Sequence, residues 1–287
     1  MKHYLKLIRV HHYIKNLLIF TPLLFSGLLF TPDLLFLTII GFISFSLVAS
    51  TIYIVNDIQD VEVDRLHQTK QMRPLASGDI SIKTAKVLAC CLIIIVFILQ
   101  FVYFKDNILS NLILITYLIL NILYSKSLKH YPIIDISILV SGYVLRVLYG
   151  SSITSIEISN WLYLTILMMS FYLALGKRRN ELQQHNIKSR KVLQYYNQAF
   201  LDKNMYMCLA LTIGFYSLWT VDPVTINRVM NDYLVLTVPF FIIICMKYSL
   251  NIEKKSDGDP VEVILKDKVL LTLLVVFIFV CTGIIYL

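Results

Sequence analysis

Four oxygen-bearing side chains lie at helical spacing where the apolar segment 34–55 ends. Asn56, Asp60 and Asp64 follow one another at intervals of four, so a continuous helix would place them on one face, with Asp57 about 100° round beside them. Like charges this close repel one another unless a cation is present. Hard oxygen ligands favour Mg²⁺, which commonly shares its ligands with substrate phosphates. The spacing predicts a Mg²⁺–diphosphate site at a membrane edge, with a solvated acidic loop as the simpler alternative.

A basic segment follows the acids. Arg65, Lys70 and Arg73 suit phosphate oxygens, arginine through paired hydrogen bonds and lysine as a point charge. Pro74 and Gly78 interrupt any helix, which predicts a loop that folds over a bound group. Taken alone, the segment is typical of an ordinary cytoplasmic basic loop. Beside the acids, it favours a mixed site for a metal-bound phosphoanhydride.

The elements that must position these residues are membrane helices. Of the 287 residues, 57% are hydrophobic and 15% are charged, and the mean hydropathy is +0.72, far from the values of a soluble domain. The sequence therefore predicts a single integral-membrane domain over residues 1–287. The apolar run after the N-terminal cations has no small-residue cleavage site, so the first span is expected to remain as a helix.

The spans and their flanking charges predict a topology. All lysines and arginines except Lys105, Arg146 and Arg228 fall on one side of the predicted spans, which indicates a cytoplasmic N-terminus, cytoplasmic charged loops and an external C-terminus. This distribution explains the net charge of +8 without nucleic acid and favours a bacterial plasma membrane. Nine transmembrane helices are expected, near 14–30, 34–56, 83–104, 108–124, 132–149, 160–176, 204–220, 231–249 and 268–287.

The cysteines and histidines lack the spacing of a metal site. The five cysteines lie in or near apolar spans without a CxxC pair, which favours buried, reduced thiols. Arg146 lies inside the fifth span, where an unpaired ion costs roughly 2.5–3.5 kcal/mol or more. Asp135 is about 16 Å away along the same helix, too far to pair with it, so an interior polar network or snorkelling is expected for Arg146, in a structural role.

The acid motif carries a family resemblance. Asn56-Asp57-x-x-Asp60-x-x-x-Asp64, then Asp-Arg and the stretch Arg73-Pro-Leu-Ala-Ser-Gly, resembles the UbiA superfamily of intramembrane prenyltransferases. The resemblance implies an all-α, nine-helix bundle whose active-site cavity faces the cytoplasm. It also implies that Asn56, Asp57, Asp60 and Asp64 bind Mg²⁺ and a diphosphate.

The segment 124–135 matches the second conserved loop of that family, with one departure. Many aromatic prenyltransferases of the superfamily carry a second DxxxD motif there. In this chain Asp135 has Tyr131 four residues before it and Leu139 four residues after it, and Lys126 and Lys129 supply positive charge instead. A site richer in cations than one built for two Mg²⁺ ions is therefore expected.

The departure points to the polyprenyl-phosphate phosphoribosyltransferases within the superfamily. The segments 9–16 (RVHHYIKN), 123–146 and 175–182 (LGKRRNEL) resemble the pattern of that group. The resemblance implies 5-phosphoribosyl 1-diphosphate as donor, polyprenyl phosphate as acceptor, and Asp57, Asp60 and Lys129 as catalytic residues. The residues expected to bind substrate are Lys15, Asn16, Asn56, Arg65, Lys70, Arg73, Tyr124, Lys126, Asp135, Lys177 and Arg178.

Two other functions remain open on the residues alone. One is prenyl transfer from a prenyl diphosphate to an aromatic acceptor. The other is an ion-coupled transporter that uses the acids as a cation site, although the sequence shows no inverted repeat and places the acids at a membrane edge. The sequence does not define the lipid chain length, the number of Mg²⁺ ions, the downstream pathway or the oligomeric state, a homo-oligomer included.

Overall fold

The computed structural model describes residues 2–66, 70–184, 191–253 and 258–287, and within them all regular structure is helical. Short 3-10 helices occupy Val10–Phe20, Lys70–Met72, Leu128–His130, Lys191–Tyr195 and Tyr233–Thr237. The α-helices are α1 (Lys2–Leu7), α2 (Thr21–Leu24), α3 (Pro32–Gln59), α4 (Val61–Arg65), α5 (Ile82–Phe104), α6 (Ile108–Lys126), α7 (Ile134–Thr154), α8 (Asn160–Gln183), α9 (Gln198–Val221), α10 (Pro223–Val229), α11 (Val238–Glu253), α12 (Pro260–Lys266) and α13 (Lys268–Tyr286). The predicted all-α class is confirmed for the part of the chain that the structure describes.

Six of the described helical segments are long and apolar enough to cross a membrane: α3, α5, α6, α7, α13 and Tyr233–Glu253. The pair α9 and α10, bent by 56° at a short break, makes a seventh when it is counted as one span. The expected span 14–30 is instead a 3-10 helix followed by the four-residue α2, and the expected span 160–176 lies in the charged helix α8. The chain is an integral membrane protein, while nine spans and a cytoplasmic N-terminus stay predictions.

Local sequence signals explain where the long helices begin. Pro32 occupies the first turn of α3, where its missing N–H is not needed. The side chains of Ser81, Ser159, Asn197 and Asp267 accept hydrogen bonds from the first-turn N–H groups of α5, α8, α9 and α13. These caps satisfy donors that would otherwise be unpaired at a helix end.

The chain divides into two compact units, and the first contains Met1–Thr21, Thr31–Lys126 and Leu145–Ser155. Its core packs Phe45 and Ile52 of α3 against Tyr117 and Tyr149. A Cβ atom at Gly150 would lie 2.0 Å from the carbonyl oxygen of Ile19. Helix α7 and the 3-10 helix Val10–Phe20 therefore touch backbone to backbone at a position that only glycine permits.

The second unit contains Pro22–Phe30, Ser127–Val144 and Ile156–Leu287. Helices α8 and α9 pack against each other, and the ring of Tyr216 on α9 contacts those of Trp219, Phe241 and Phe277. Tyr286 near the C-terminus donates to the carbonyl oxygens of α2 and accepts from the backbone N–H of Leu29. The division into two units describes which residues of the chain contact one another most densely. It does not test the expected single domain over residues 1–287, which stays a prediction.

Candidate active site

The acidic residues lie at a break between two helices of the first unit. The continuous helix through Asp64 that would place the acids on one face is not formed: α3 ends at Gln59, Asp60 has φ −94° and ψ 5°, and α4 begins at Val61. Backbone hydrogen bonds from Asp60 N to Asn56 O (2.9 Å) and from Asp64 N to Asp60 O (2.8 Å) nevertheless keep the four-residue spacing across the break. The acids therefore stay stacked although the regular helix ends.

Asp57 and Asp64 share one arginine. Arg73 Nη1 donates to Asp57 Oδ1 at 3.0 Å and to Asp64 Oδ2 at 2.6 Å, and both carboxylate side chains are almost fully buried. Arg9 Nη2 adds a 2.6 Å hydrogen bond to Asp57 Oδ1, and the Arg9 guanidinium lies over the ring of Tyr53. Two guanidinium groups therefore supply the cationic charge that the sequence analysis required at these carboxylates.

The segment that carries Arg73 is tied to the N-terminal helix. Lys6 Nζ donates to Met72 O at 2.6 Å, and His3 Nδ1 lies 3.0 Å from Asp79 Oδ2. Gly78 has φ +85°, a left-handed conformation that favours glycine, so the predicted break in the helix is confirmed. Helix α1 therefore helps to place Arg73 beside the carboxylates.

Asn56 and Asp60 complete the predicted metal set. Asn56 Oδ1 accepts a hydrogen bond from Ser125 Oγ, which brings the end of α6 and its Tyr124 to the acid cluster. Asp60 is half-buried, and within the described residues its carboxylate makes no hydrogen bond or ion pair. Arg65 instead pairs with Glu62 at 3.0 Å, where both side chains are exposed, and Lys70 is half-buried.

The carboxylates fit a divalent cation in one observed respect. Asp57 and Asp64 each place a carboxylate oxygen within 3.0 Å of Arg73 Nη1, so both carboxylates face the same positively charged group. Among the described residues, no group of three or more His, Cys, Asp or Glu has the geometry of a metal site. A set of two converging carboxylates is typical of Mg²⁺, which takes its remaining ligands from water and substrate phosphates.

The predicted substrate residue Asn16 belongs to a buried polar network. Its side chain is almost fully buried, donates to Ser46 Oγ at 2.9 Å, and accepts from Arg146 Nε at 2.7 Å. Arg146 also donates to Tyr117 OH at 3.0 Å and lies over the Phe45 ring. Arg146 is 5% exposed, so the interior network expected for it is confirmed in place of snorkelling. Lys15, next to Asn16, is half-buried.

A second charged network lies in the second unit. Arg178 and Asp135 are both 0% exposed, and Arg178 Nε donates to Asp135 Oδ2 at 2.6 Å. Arg178 Nη1 donates to Glu181 at 2.8 Å, while Tyr196 OH donates to Asp135 Oδ1 at 2.6 Å. The substrate roles of Asp135 and Arg178 stay predictions; in the structure these two buried residues form an ion pair.

The same tyrosine fixes an unusual backbone conformation. Ile133 has φ +66°, a left-handed value that costs a β-branched residue roughly 1–3 kcal/mol, and its N–H donates to Tyr196 OH at 2.6 Å. Burial, together with the hydrogen bond that Tyr196 OH donates to Asp135, raises the pKa of Tyr196 above its ordinary value of 10.0. Tyr196 is therefore a neutral donor at physiological pH.

The remaining predicted cations differ in their surroundings. Lys177 Nζ lies 3.2 Å from Asp259, whose other oxygen caps α12, and Gly258 packs directly on the backbone of Lys177. Lys129 is half-buried and Lys126 is exposed, and neither makes an ion pair with any described residue. Arg9, Tyr196 and Asp259 were not among the predicted site residues; of these, only Arg9 had a sequence signal, as the first residue of the segment 9–16.

Long apolar helices and a buried acid–arginine cluster at a helix end are the features of an integral-membrane enzyme acting on a phosphorylated substrate. Residues 18–270 match the UbiA prenyltransferase family, and the chain belongs to that family. Decaprenyl-phosphate phosphoribosyltransferase from Corynebacterium glutamicum is 33% identical over 96% of this chain and 84% of its own length. The enzyme of the same name from Mycolicibacterium smegmatis is 31% identical over 96% and 89%.

Solved structures agree on the fold. A UbiA homologue from Archaeoglobus fulgidus bound to DMAPP and Mg²⁺ superposes with a TM-score of 0.72 at 20% identity, over 98% of both chains. The same homologue bound to GPP and Mg²⁺ gives a TM-score of 0.70 at 18% identity, over 99% of both chains. At these identities the likeness establishes the fold, and both structures of that homologue contain Mg²⁺.

Proposed function

We propose that the chain transfers a 5-phosphoribosyl group from 5-phosphoribosyl 1-diphosphate to a polyprenyl phosphate and releases pyrophosphate in a Mg²⁺-dependent reaction. The relatives that match most of its length are named for phosphoribosyl transfer to decaprenyl phosphate. The observation that carries the proposal is the convergence of Asp57 and Asp64 on Arg73 Nη1, at 3.0 and 2.6 Å. Such a point binds a cation, and a cation is what a departing pyrophosphate requires.

The acid cluster would hold the leaving group. Asp57 and Asp64, with Asp60 and Asn56 beside them, are the proposed ligands of Mg²⁺. When bound, Mg²⁺ neutralises negative charge on the diphosphate as the bond to C1 breaks. Arg9 and Arg73 are near enough to these carboxylates to exchange one anionic partner for another and pair with diphosphate oxygens.

The other substrate anions need cations as well. The donor carries a 5-phosphate and the acceptor is itself a phosphate, so the proposed site holds more negative charge than a prenyl diphosphate with an aromatic acceptor. Lys129 and Lys126, which replace the second acidic motif, are the proposed ligands of these phosphates, with Lys15 and Lys177 as further candidates. An oxygen of the lipid phosphate attacks C1, and because that oxygen is already anionic, no strong general base is required.

The membrane orientation and the cellular location are proposed from the predicted topology. The distribution of lysine and arginine supports a cytoplasmic N-terminus and a cytoplasmic acid cluster in a bacterial plasma membrane. The polyprenyl tail would then enter from the bilayer, while the water-soluble donor would come from the cytoplasm. Nine spans are retained in this proposal, and assembly into a homo-oligomer is left open.

A two-donor assay tests the proposal. Purified protein is given labelled phosphoribosyl diphosphate with undecaprenyl phosphate, or geranyl diphosphate with 4-hydroxybenzoate, each with Mg²⁺ and with EDTA. The expected product is a phosphoribosylated lipid, identified by mass, in the first mixture with Mg²⁺ alone. A prenylated aromatic product in the second mixture and none in the first would establish the rival activity, prenyl transfer.

A further inference from the structure

We infer that Tyr196 is a positioning residue that holds the segment 127–133, and with it Lys129, in the conformation needed for substrate phosphate. The function assigned to Lys129 rests on the proposed phosphoribosyl transfer, whereas the attachment of the segment rests on the structure of the second unit. No part of the acid motif is involved. Tyr196 lies far along the chain, 61 residues beyond Asp135.

The hydroxyl of Tyr196 joins two parts of one short segment. It accepts from Ile133 N at 2.6 Å and donates to Asp135 Oδ1 at 2.6 Å, so a single oxygen bonds to the backbone before α7 and to a side chain in its first turn. Tyr196 is 7% exposed and its ring stacks on that of Phe200. Burial and stacking restrict the ring, which makes the position of its hydroxyl well defined.

Asp135 is fixed from the other side. Arg178 Nε lies 2.6 Å from Asp135 Oδ2, and both side chains are 0% exposed. The carboxylate therefore receives one hydrogen bond from Arg178 and one from Tyr196, on different oxygens. Because Arg178 also pairs with Glu181 on α8, the anchor for the segment is built into two helices.

The segment needs such an anchor because of Ile133. Its left-handed φ of +66° is one that a β-branched residue rarely adopts, and its side chain is 61% exposed, so its own packing does not enforce the conformation. Its carbonyl oxygen accepts from Ser137 N at 2.8 Å in the first turn of α7, and its N–H is held by Tyr196 OH, among the described residues the one contact here from outside the segment and α7. Without it, the segment that precedes Ile133 is expected to relax towards an ordinary backbone conformation.

Lys129 is connected to Tyr196 through the backbone of the segment 127–133. It belongs to the 3-10 helix Leu128–His130, which packs beside the 3-10 helix Lys191–Tyr195 that precedes Tyr196. Lys129 is half-buried and makes no ion pair with a described residue. The path of the backbone therefore sets where the Lys129 side chain begins, and the C-terminal end of that path is attached where Tyr196 binds Ile133 and Asp135.

Hydrogen exchange in detergent tests the attachment without any assumption about activity. Tyr196→Phe keeps the ring and removes the hydroxyl, and Tyr195→Phe is the matched control because Tyr195 is 63% exposed. We expect peptide 127–133 to exchange about tenfold faster in Tyr196→Phe, the effect of losing a hydrogen bond to a charged group. Unchanged exchange in a folded Tyr196→Phe protein would overturn the inference.

Kinetics test the consequence for Lys129. Tyr196→Phe is expected to lower kcat/KM for the phosphoribosyl donor about tenfold, and to change little when Lys129 is already alanine. Additive losses in Tyr196→Phe and Lys129→Ala would contradict the positioning role. A wild-type protein that makes no phosphoribosylated lipid would overturn the proposed function instead, and the exchange result would still decide the attachment.

Discussion

Arg9 Nη2 and Asp57 Oδ1 lie 2.6 Å apart although the two residues are separated by 48 positions in the chain. Arg9 itself has φ +54°, a left-handed conformation rarely adopted by arginine. The N-terminal segment therefore reaches the end of α3 in a conformation that is unfavourable by itself. The ion pair offsets that cost and links two of the sequence motifs, the segment 9–16 and the acid motif.

Asp57→Asn tests the acid cluster. The substitution keeps the size of the side chain and removes the charge that Arg9, Arg73 and the proposed Mg²⁺ all require. We expect pyrophosphate release to fall at least roughly a hundredfold. The matched control is Glu62→Gln, because Glu62 is an exposed acid on α4 that pairs only with Arg65 among the described residues. Near-normal turnover of purified Asp57→Asn would exclude this cluster as the metal site.

Mg²⁺ and pyrophosphate are expected to bind together. Arg73 Nη1 lies between Asp57 and Asp64, so Mg²⁺ alone competes with a guanidinium group, whereas added pyrophosphate gives that group a new anionic partner. Thermal unfolding should shift upwards with Mg²⁺ and pyrophosphate present, and little with Mg²⁺ alone. In Arg73→Gln, Mg²⁺ alone should raise the midpoint. An equal shift with Mg²⁺ alone in both proteins would contradict this competition.

Arg9→Met removes one of two partners of a buried carboxylate. Asp57 keeps Arg73, and the Arg9 side chain is 20% exposed, so the expected loss is about 1–2 kcal/mol in the free energy of unfolding. The donor KM is expected to rise as well, because Arg9 is a proposed diphosphate ligand. Lys2→Met, on the exposed face of α1, is the control. A change in stability with an unchanged KM would restrict Arg9 to a structural role.

Arg146→Met tests the interior network separately from catalysis. The substitution leaves Asn16 Oδ1 and Tyr117 OH without the hydrogen bonds that Arg146 donates, at a cost of roughly 1–3 kcal/mol. The midpoint of thermal unfolding should fall while the Mg²⁺ concentration needed for half-maximal activity stays the same. Arg228→Met, at an exposed position, should change neither quantity.

A pH titration tests Asp267, which lies outside the spans. A 2.7 Å pairing with Lys247, together with the N–H of Leu270, holds the pKa of Asp267 well below its ordinary value of 3.8. A lowered pKa contributes stability that is fully present above pH 3.8 and is lost as the pH falls towards the folded value. The difference in unfolding midpoint between wild type and Asp267→Asn should therefore be constant near neutral pH and shrink below pH 3.8. Lys247→Met, which removes the cationic partner of Asp267, should weaken this dependence on pH.

Much of the acid cluster could be predicted because its information is local. Asn56, Asp57, Asp60 and Asp64 occur within nine residues, and backbone hydrogen bonds preserve their spacing even though the helix is interrupted at Asp60. The interruption itself was not predicted, because no proline or glycine marks it. The basic segment was also local, and Arg73 does lie against two of the acids.

Pairings between distant residues could not be predicted. Asp135 and Arg178 were both expected to bind substrate, and nothing in their spacing of 43 residues shows that they form a buried ion pair with each other. Tyr196 and Asp259 gave no signal because their partners are 61 and 82 residues away. The apolar segment 14–30 was equally ambiguous. It is long enough for a membrane-spanning α-helix, but a 3-10 helix replaces the expected α-helix.

The close approach of Gly150 to Ile19 has a consequence for the surrounding lipid. The two backbones are in contact at this point, which leaves no room there for a lipid acyl chain or a water molecule. The bond from Arg146 to Asn16 bridges the same two elements, and both residues are almost fully buried, which shields the bond from competing solvent. Even one methyl group at position 150 would push the two backbones apart and strain the hydrogen bond between Arg146 and Asn16.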